Sequence, residues 1–118
     1  MQRKEIFEKW INLLKPLFPE DANMNFGVRN RDYFINAKWL LKDDPNRPSK
    51  RSKMIEFIIE EEFMDNYLGA HPEEKPRIDR RLKEFVEQKL LTFDPHHDKS
   101  VYERIPVEEW LVPSNIIE

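Results

Sequence analysis

The fold of this protein is decided by two short segments, YFINAKWLL (residues 33–41) and MIEFIIE (residues 54–60). All odd-numbered residues of the first segment are apolar, and the second alternates in the same way through Ile55, Phe57 and Ile59. Alternation with a period of two is typical of a strand that buries one face. A helical face is the alternative for 33–41, but it must skip residues to fit. We therefore predict an antiparallel hairpin over about 33–41 and 53–60.

Three helices are expected around this hairpin. Residues 3–15 carry apolar side chains at helical spacing and stop before Pro16, and a longer helix is predicted over about 76–92. A short helix over about 61–68 begins with acidic residues and is followed by Gly69, which we expect to adopt a left-handed conformation as its cap. The predicted fold class is α+β, with an antiparallel sheet packed by these helices.

The other segments are assigned from turn residues and short apolar runs. Residues 25–29 are expected to form a short strand in which Gly27 marks a bulge or a close backbone approach, and residues 30–32 a turn. A last strand is predicted over 101–105. Residues 106–112 fit either a helical turn, which carries Trp110 and Leu111 onto the core, or an edge strand.

The length of 118 residues predicts a single domain over 1–118. Within it we expect a flexible loop over 42–52 and a frayed tail over 113–118. The net charge is -3 and 36% of the residues are charged, but three Trp, three Tyr and eight Phe supply a core. The absence of cysteine excludes disulfides, thiolate metal sites and cysteine nucleophiles, and the cytoplasm is the expected location. No apolar run is long enough to cross a bilayer, so no membrane partner is expected.

The connector between the hairpin strands is the most basic stretch of the chain. Residues 46–53 contain four cations and no anion: Arg47, Lys50, Arg51 and Lys53. A flexible cationic loop of this kind can follow a phosphate backbone with salt-sensitive affinity. The acidic net charge favours a solvated loop or a protein contact over nucleic acid.

The strongest metal candidates are the four polar side chains of one turn: Asp94, His96, His97 and Asp98. Adjacent histidines in a turn point apart, so the turn falls short of the three or four converging ligands that a zinc site needs. We therefore expect no metal and no cofactor. Two isolated glycines cannot form a phosphate-binding loop, and no nucleophile motif is present. The charged residues of 73–87, including Asp79, are expected to form exposed ion pairs.

These observations favour a small intracellular protein that acts without catalysis, through contact with an unidentified protein partner or with itself. Self-association would give a homodimer, formed through an exposed strand edge or through outer-face apolar residues such as Phe34 and Leu40. The alternative function is a nucleic-acid-binding accessory protein that uses the basic loop 46–53.

Overall fold

A computed structural model describes residues 3–41, 50–99 and 102–117 of the chain. The described residues form three α-helices, two short 3-10 helices and one four-stranded sheet whose strands lie in chain order, which confirms the α+β class. The elements in chain order are α1 (Arg3–Leu14), a 3-10 helix (Lys15–Leu17), β1 (Asn23–Arg29), β2 (Asp32–Lys38), β3 (Met54–Ile59), α2 (Glu61–Gly69), α3 (Lys75–Leu90), β4 (Val107–Leu111) and a second 3-10 helix (Ser114–Ile116).

The predicted central hairpin is present as the antiparallel pair β2 and β3. Ile35 lies opposite Phe57 and Ala37 opposite Ile55, so the alternating apolar residues share one face and the helical alternative for 33–41 is wrong. Pairing continues past β2, where the Leu41 N–H donates to the Lys50 carbonyl at 2.9 Å. Residues 50–52 therefore belong to the hairpin rather than to the loop expected over 42–52. Residues 42–49 lie outside the described part of the chain.

The first hairpin joins β1 to β2 through the expected turn. Asn30 and Arg31 have φ values of 52° and 72°, which are the positive angles of a type I′ turn. Pairing along β1 is continuous, so Gly27 does not mark a bulge. A Cβ atom at this position would lie 2.6 Å from the Phe34 ring, so the group close to Gly27 is a side chain and not the backbone that was expected.

The core lies between the helices and one face of the sheet, which we call the inner face. This face carries Met24, Phe26 and Val28 of β1, Tyr33, Ile35 and Ala37 of β2, Ile55, Phe57 and Ile59 of β3, and Trp110 of β4. Aromatic contacts join it to the helical layer: the Phe7 ring of α1 stacks on Phe26 at 5.0 Å between centroids. Ile78, Leu82 and Val86 form the buried stripe of α3, as their spacing predicts.

The chain after α3 differs most from the prediction. Residues 107–111 form β4, parallel to β3, so the edge strand is the correct alternative for 106–112. The strand expected over 101–105 is absent among residues 102–105. Leu111 remains 55% exposed, and of the two residues expected on the core only Trp110 is buried there. Parallel pairing with β3 depends on contacts distant in sequence, which local patterns do not report.

Two termini also required correction. Gly69 has no positive φ, and the cap of α2 is an extended Ala70 whose N–H donates to the Tyr67 carbonyl. The tail expected to fray packs over residues 113–117, because Ile116 is buried and its carbonyl accepts a hydrogen bond from Arg81 at 3.3 Å. None of the described helices is both long and apolar enough to cross a membrane.

Candidate functional site

The candidate site is the second face of the sheet, which we call the outer face. The strand register places its side chains in cross-strand rows. One row is apolar and consists of Phe34, Ile58 and Leu111 next to Gly27. A second apolar pair, Met54 and Val107, lies four residues away along β3 and β4. None of these five side chains belongs to the buried core cluster, although each is apolar.

An ion pair separates the two apolar groups. The Arg29 guanidinium donates to the Glu56 carboxylate at 2.5 Å, and Glu56 is only 6% exposed. Glu56 lies opposite Asn36 of β2 and takes its ion-pair partner, Arg29, from β1. Glu109 is next to Glu56 on β4, so Arg29 also offsets the repulsion between these two carboxylates.

The position of Arg29 follows from the local sequence. The type I′ turn at Asn30 and Arg31 closes the hairpin directly after Arg29, and this fixes the face on which its side chain lies. The guanidinium also lies 5.3 Å from the centre of the Phe34 ring, within the range of a cation–π contact. Phe34 in turn lies across Gly27, where only a residue without Cβ leaves it room.

Both residues of the ion pair line a cavity on the outer face. The cavity has a volume of about 360 Å³ and contains both charged and apolar side chains. It is lined by Arg29, Phe34, Asn36, Met54, Glu56, Arg104, Ile105 and Val107. The arrangement can receive apolar side chains against its walls and a carboxylate against Arg104, which lies exposed at its edge.

A second polar cluster lies between the three α-helices, and the sequence interpretation missed it. Asp79 is buried, where exposed ion pairs with its own helix were expected. Its Oδ1 accepts hydrogen bonds from the Trp10 indole at 2.9 Å and from the Tyr67 hydroxyl at 2.8 Å. The Lys9 ammonium lies 2.7 Å from Asp79 Oδ2 and donates to Tyr67 Oη at 2.8 Å. Each of the three α-helices therefore contributes at least one side chain to this hydrogen-bond network.

The environment of this cluster shifts two pKa values in the same direction. Burial lowers the pKa of Lys9, but the hydrogen bonds to Asp79 and Tyr67 outweigh it and the net shift is upward from 10.5. Burial raises the pKa of Tyr67 above 10.0, and its hydrogen bond to Asp79 raises it further. Both groups are therefore protonated at neutral pH, and their hydrogen bonds hold the three α-helices together. Among the described residues, no buried side-chain polar atom lacks a hydrogen-bond partner.

The structure places three of the four predicted nucleic-acid-binding cations. Lys50 is buried, and its ammonium donates to the His97 carbonyl at 2.6 Å. Arg51 is exposed and Lys53 is partly buried, while Arg47 lies outside the described residues. These cations are thus not gathered on one exposed surface in the part described. The nucleic-acid hypothesis stays a prediction.

The histidine turn, residues 94–98, contacts the hairpin at the end next to its loop. His97 Nε2 lies 2.8 Å from the Arg51 carbonyl, and its Nδ1 accepts a hydrogen bond from the Lys99 N–H. Both ring nitrogens are therefore occupied. His96 bonds to Asp94 at 2.9 Å, and the backbone and side-chain hydrogen bonds from His96 lower the pKa of Asp94. Within the described ranges, no three His, Asp or Glu side chains converge as metal ligands do, and Asp98 joins no such group.

Comparison with known proteins adds no assignment: no family model, no curated protein and no solved structure matches this chain.

Proposed function

We propose that this protein acts without catalysis, as an interaction domain whose outer face binds a partner protein. The partner segment carries apolar side chains and at least one carboxylate. The observation that carries this proposal is the position of five apolar side chains on a sheet face that contributes nothing to the core. Contiguous apolar surface outside the core is a common mark of an interaction site.

The exposure of the outer face supports the proposal. Leu111 and Val107 are 55% and 46% exposed, and both lie on the same side of β4. The helical layer covers the inner face through the core cluster, and in the described part of the chain no such layer covers the outer face. A partner segment laid on the outer face would bury these exposed apolar side chains.

The charges of the outer face determine the chemistry of the partner. Arg29, Lys38 and Arg104 supply three cations to this region, and Asp32, Glu56 and Glu109 supply three carboxylates. These charges balance, and the exposed Arg104 is the cation of the cavity lining that a partner carboxylate can reach. A segment with apolar side chains and a carboxylate complements this cavity, because its carboxylate would reach Arg104 at the edge.

The polar clusters of the described chain support a role without catalysis. The Asp79 network has its donors and acceptors paired with one another. Lys9 and Tyr67 have pKa values shifted away from neutrality, whereas a general acid or base works best with a pKa near the working pH. These groups are suited to holding three helices together.

The test uses this protein as an affinity bait together with two matched variants. The first variant, Val107→Lys with Leu111→Lys, places cations on the outer face. The control, Leu91→Lys, changes a residue that is 75% exposed at the end of α3, which packs against the inner face. Captured proteins are identified, purified and recombined with the bait, and amide chemical shifts map the contact.

We expect one protein whose segment carries apolar side chains and a carboxylate to bind the wild type and the control, with at least about a tenfold loss of affinity in the double variant. The shifted amides should belong to β2, β3 and β4. Equal binding by the double variant, contact at another surface, or the absence of any specific ligand would refute the proposal.

A further inference from the structure

The two edges of the sheet differ in their protection against pairing. β4 has five residues, includes two glutamates and lies between Pro106 and Pro113. Short edge strands, charges and flanking prolines are the usual devices that prevent another strand from adding to a sheet. β1 has seven residues and carries none of these devices before Arg29, its last residue.

β1 also exposes apolar side chains at its edge. Phe26 is 36% and Val28 is 65% exposed, and both lie on the inner face with the partly buried Met24. Among the described residues, the backbone hydrogen bonds outside the regular elements involve no residue of β1. The edge therefore combines a free strand with an apolar side-chain row.

The hairpin geometry tells which backbone groups of β1 point outward. A two-residue turn places Arg29 and Asp32 in a hydrogen-bonded pair, and such pairs alternate along an antiparallel ladder. Asn23, Asn25, Gly27 and Arg29 thus bond to β2. The N–H and C=O groups of Met24, Phe26 and Val28 point away from the sheet.

We propose that β1 pairs antiparallel with β1 of a second copy of this chain, about a two-fold axis at Phe26. Phe26 then lies opposite Phe26 of the second copy, and Met24 lies opposite its Val28. These three pairs consist of outward-pointing residues, so they exchange about six backbone hydrogen bonds. The same pairs place apolar side chains against apolar side chains, and a shift by one residue would lose both matches.

The charges of the strand are compatible with this register. On the outer face Asn25 lies opposite Gly27 and Asn23 opposite Arg29 of the second copy, so no like charges meet. Beyond the strand ends the register brings the acidic Asp21 toward the basic Arg31 of the second copy, and both residues are exposed. The strand is therefore complementary to itself in shape, hydrogen bonding and charge.

This inference goes beyond the proposed function, because it uses the edge of β1 rather than the outer face. Pairing at the edge would join two sheets into one of eight strands and place two outer faces side by side. A partner with two binding segments would then bind both faces at once and gain affinity.

The absence of cysteine makes disulfide trapping a direct test of the register. In a hydrogen-bonded antiparallel pair the Cα atoms lie about 5.5 Å apart, a distance that a disulfide spans. A Phe26→Cys variant is therefore expected to form a covalent dimer under mild oxidation. In Val28→Cys the two cysteines of the dimer are offset by about four residues, roughly 13 Å along the strands, so no covalent dimer is expected. A variant with both Met24→Cys and Val28→Cys should cross-link again.

Sedimentation of the unmodified chain measures the association itself. We expect a reversible dimer at micromolar to millimolar concentration, weakened at least about tenfold by Val28→Lys and less than about twofold by Val107→Lys. A strict monomer over this range would overturn the inference. Cross-linking of Val28→Cys as fast as Phe26→Cys would also overturn it, because that result means random collision. Amide spectra show whether each variant is folded, and only folded variants are compared with the unmodified chain.

Discussion

Removal of the Asp79 carboxylate is the perturbation that most directly tests how the helices are held together. Asp79 on α3 accepts hydrogen bonds from Trp10 on α1 and from Tyr67 on α2. Lys9 reaches the same carboxylate from α1 at 2.7 Å. Both the carboxylate and the Tyr67 side chain are buried, so an Asp79→Ala substitution leaves polar groups that water cannot easily reach.

The expected cost follows from the groups left behind. The Trp10 N–H loses its acceptor in a buried position, which costs about 1–3 kcal/mol. Loss of the charge-assisted hydrogen bond from Tyr67 costs about 1.5–3 kcal/mol. Lys9 is 39% exposed and can turn to water, so its ion pair adds little. Relief of the desolvation of the carboxylate offsets part of the loss. We expect a net decrease in the free energy of unfolding of about 2–4 kcal/mol.

Two further variants separate charge from hydrogen bonding. Asp79→Asn keeps an oxygen acceptor for Trp10 and Tyr67, and we expect a loss of about 1–2 kcal/mol. Asp65→Ala removes a carboxylate that is 55% exposed and forms a surface ion pair with Arg3 at 3.5 Å. Because water screens such a pair, the substitution should cost less than about 0.5 kcal/mol. Urea unfolding followed by tryptophan fluorescence and circular dichroism measures all three. Equal stability of Asp79→Ala and Asp65→Ala would refute the reasoning.

Three other predictions concern pH and the backbone. The raised pKa values of Lys9 and Tyr67 mean that the folded state binds their protons more tightly than the unfolded state does. The resulting stabilisation is complete below about pH 10 and is lost as the pH rises through the pKa values of the folded state. Urea midpoints between about pH 8 and pH 11 should therefore fall in the wild type but less in Asp79→Ala, and parallel curves would contradict this assignment. Arg31→Gly should raise stability by about 0.5–1 kcal/mol, because Arg31 has a φ of 72° that glycine adopts without strain; a decrease in the thermal midpoint would contradict this. Gly69→Ala should be neutral or stabilising by up to about 1 kcal/mol, since no atom lies within 4 Å of the new Cβ and φ is not positive. Chemical unfolding measures this change, and a loss above that size would show that the end of α2 needs glycine.

Much of the fold follows from local pattern. The period-two alternation of residues 33–41 and 54–60 predicts both central strands, and the spacing of Ile78, Leu82 and Val86 predicts the buried side of α3. These predictions succeed because a strand or helix that buries one face must repeat apolar residues with its own period. The same rule does not give β4, where Glu108 interrupts the inner positions of a short strand.

The candidate sites were harder to predict than the elements. Phe34 was recognised as an outer-face apolar residue, but the pairing of Glu56 with Arg29 depends on β1 and on a turn that sets its register. Asp79 lies among alternating charges, where an exposed helix face is the ordinary interpretation. One signal was available: its position one residue after Ile78 places it at the border of the buried stripe.

The sequence by itself determined the secondary structure of the central hairpin, the three helices and the tight turn at residues 30–32, because each depends on residues close together in the chain. Only the tertiary structure decided which face of the sheet the helices cover, which strand forms the unprotected edge, and that Asp79 and Lys50 are buried. Burial of a charged side chain depends on partners up to 69 residues away, as for Trp10 and Asp79, and no local pattern encodes such a contact.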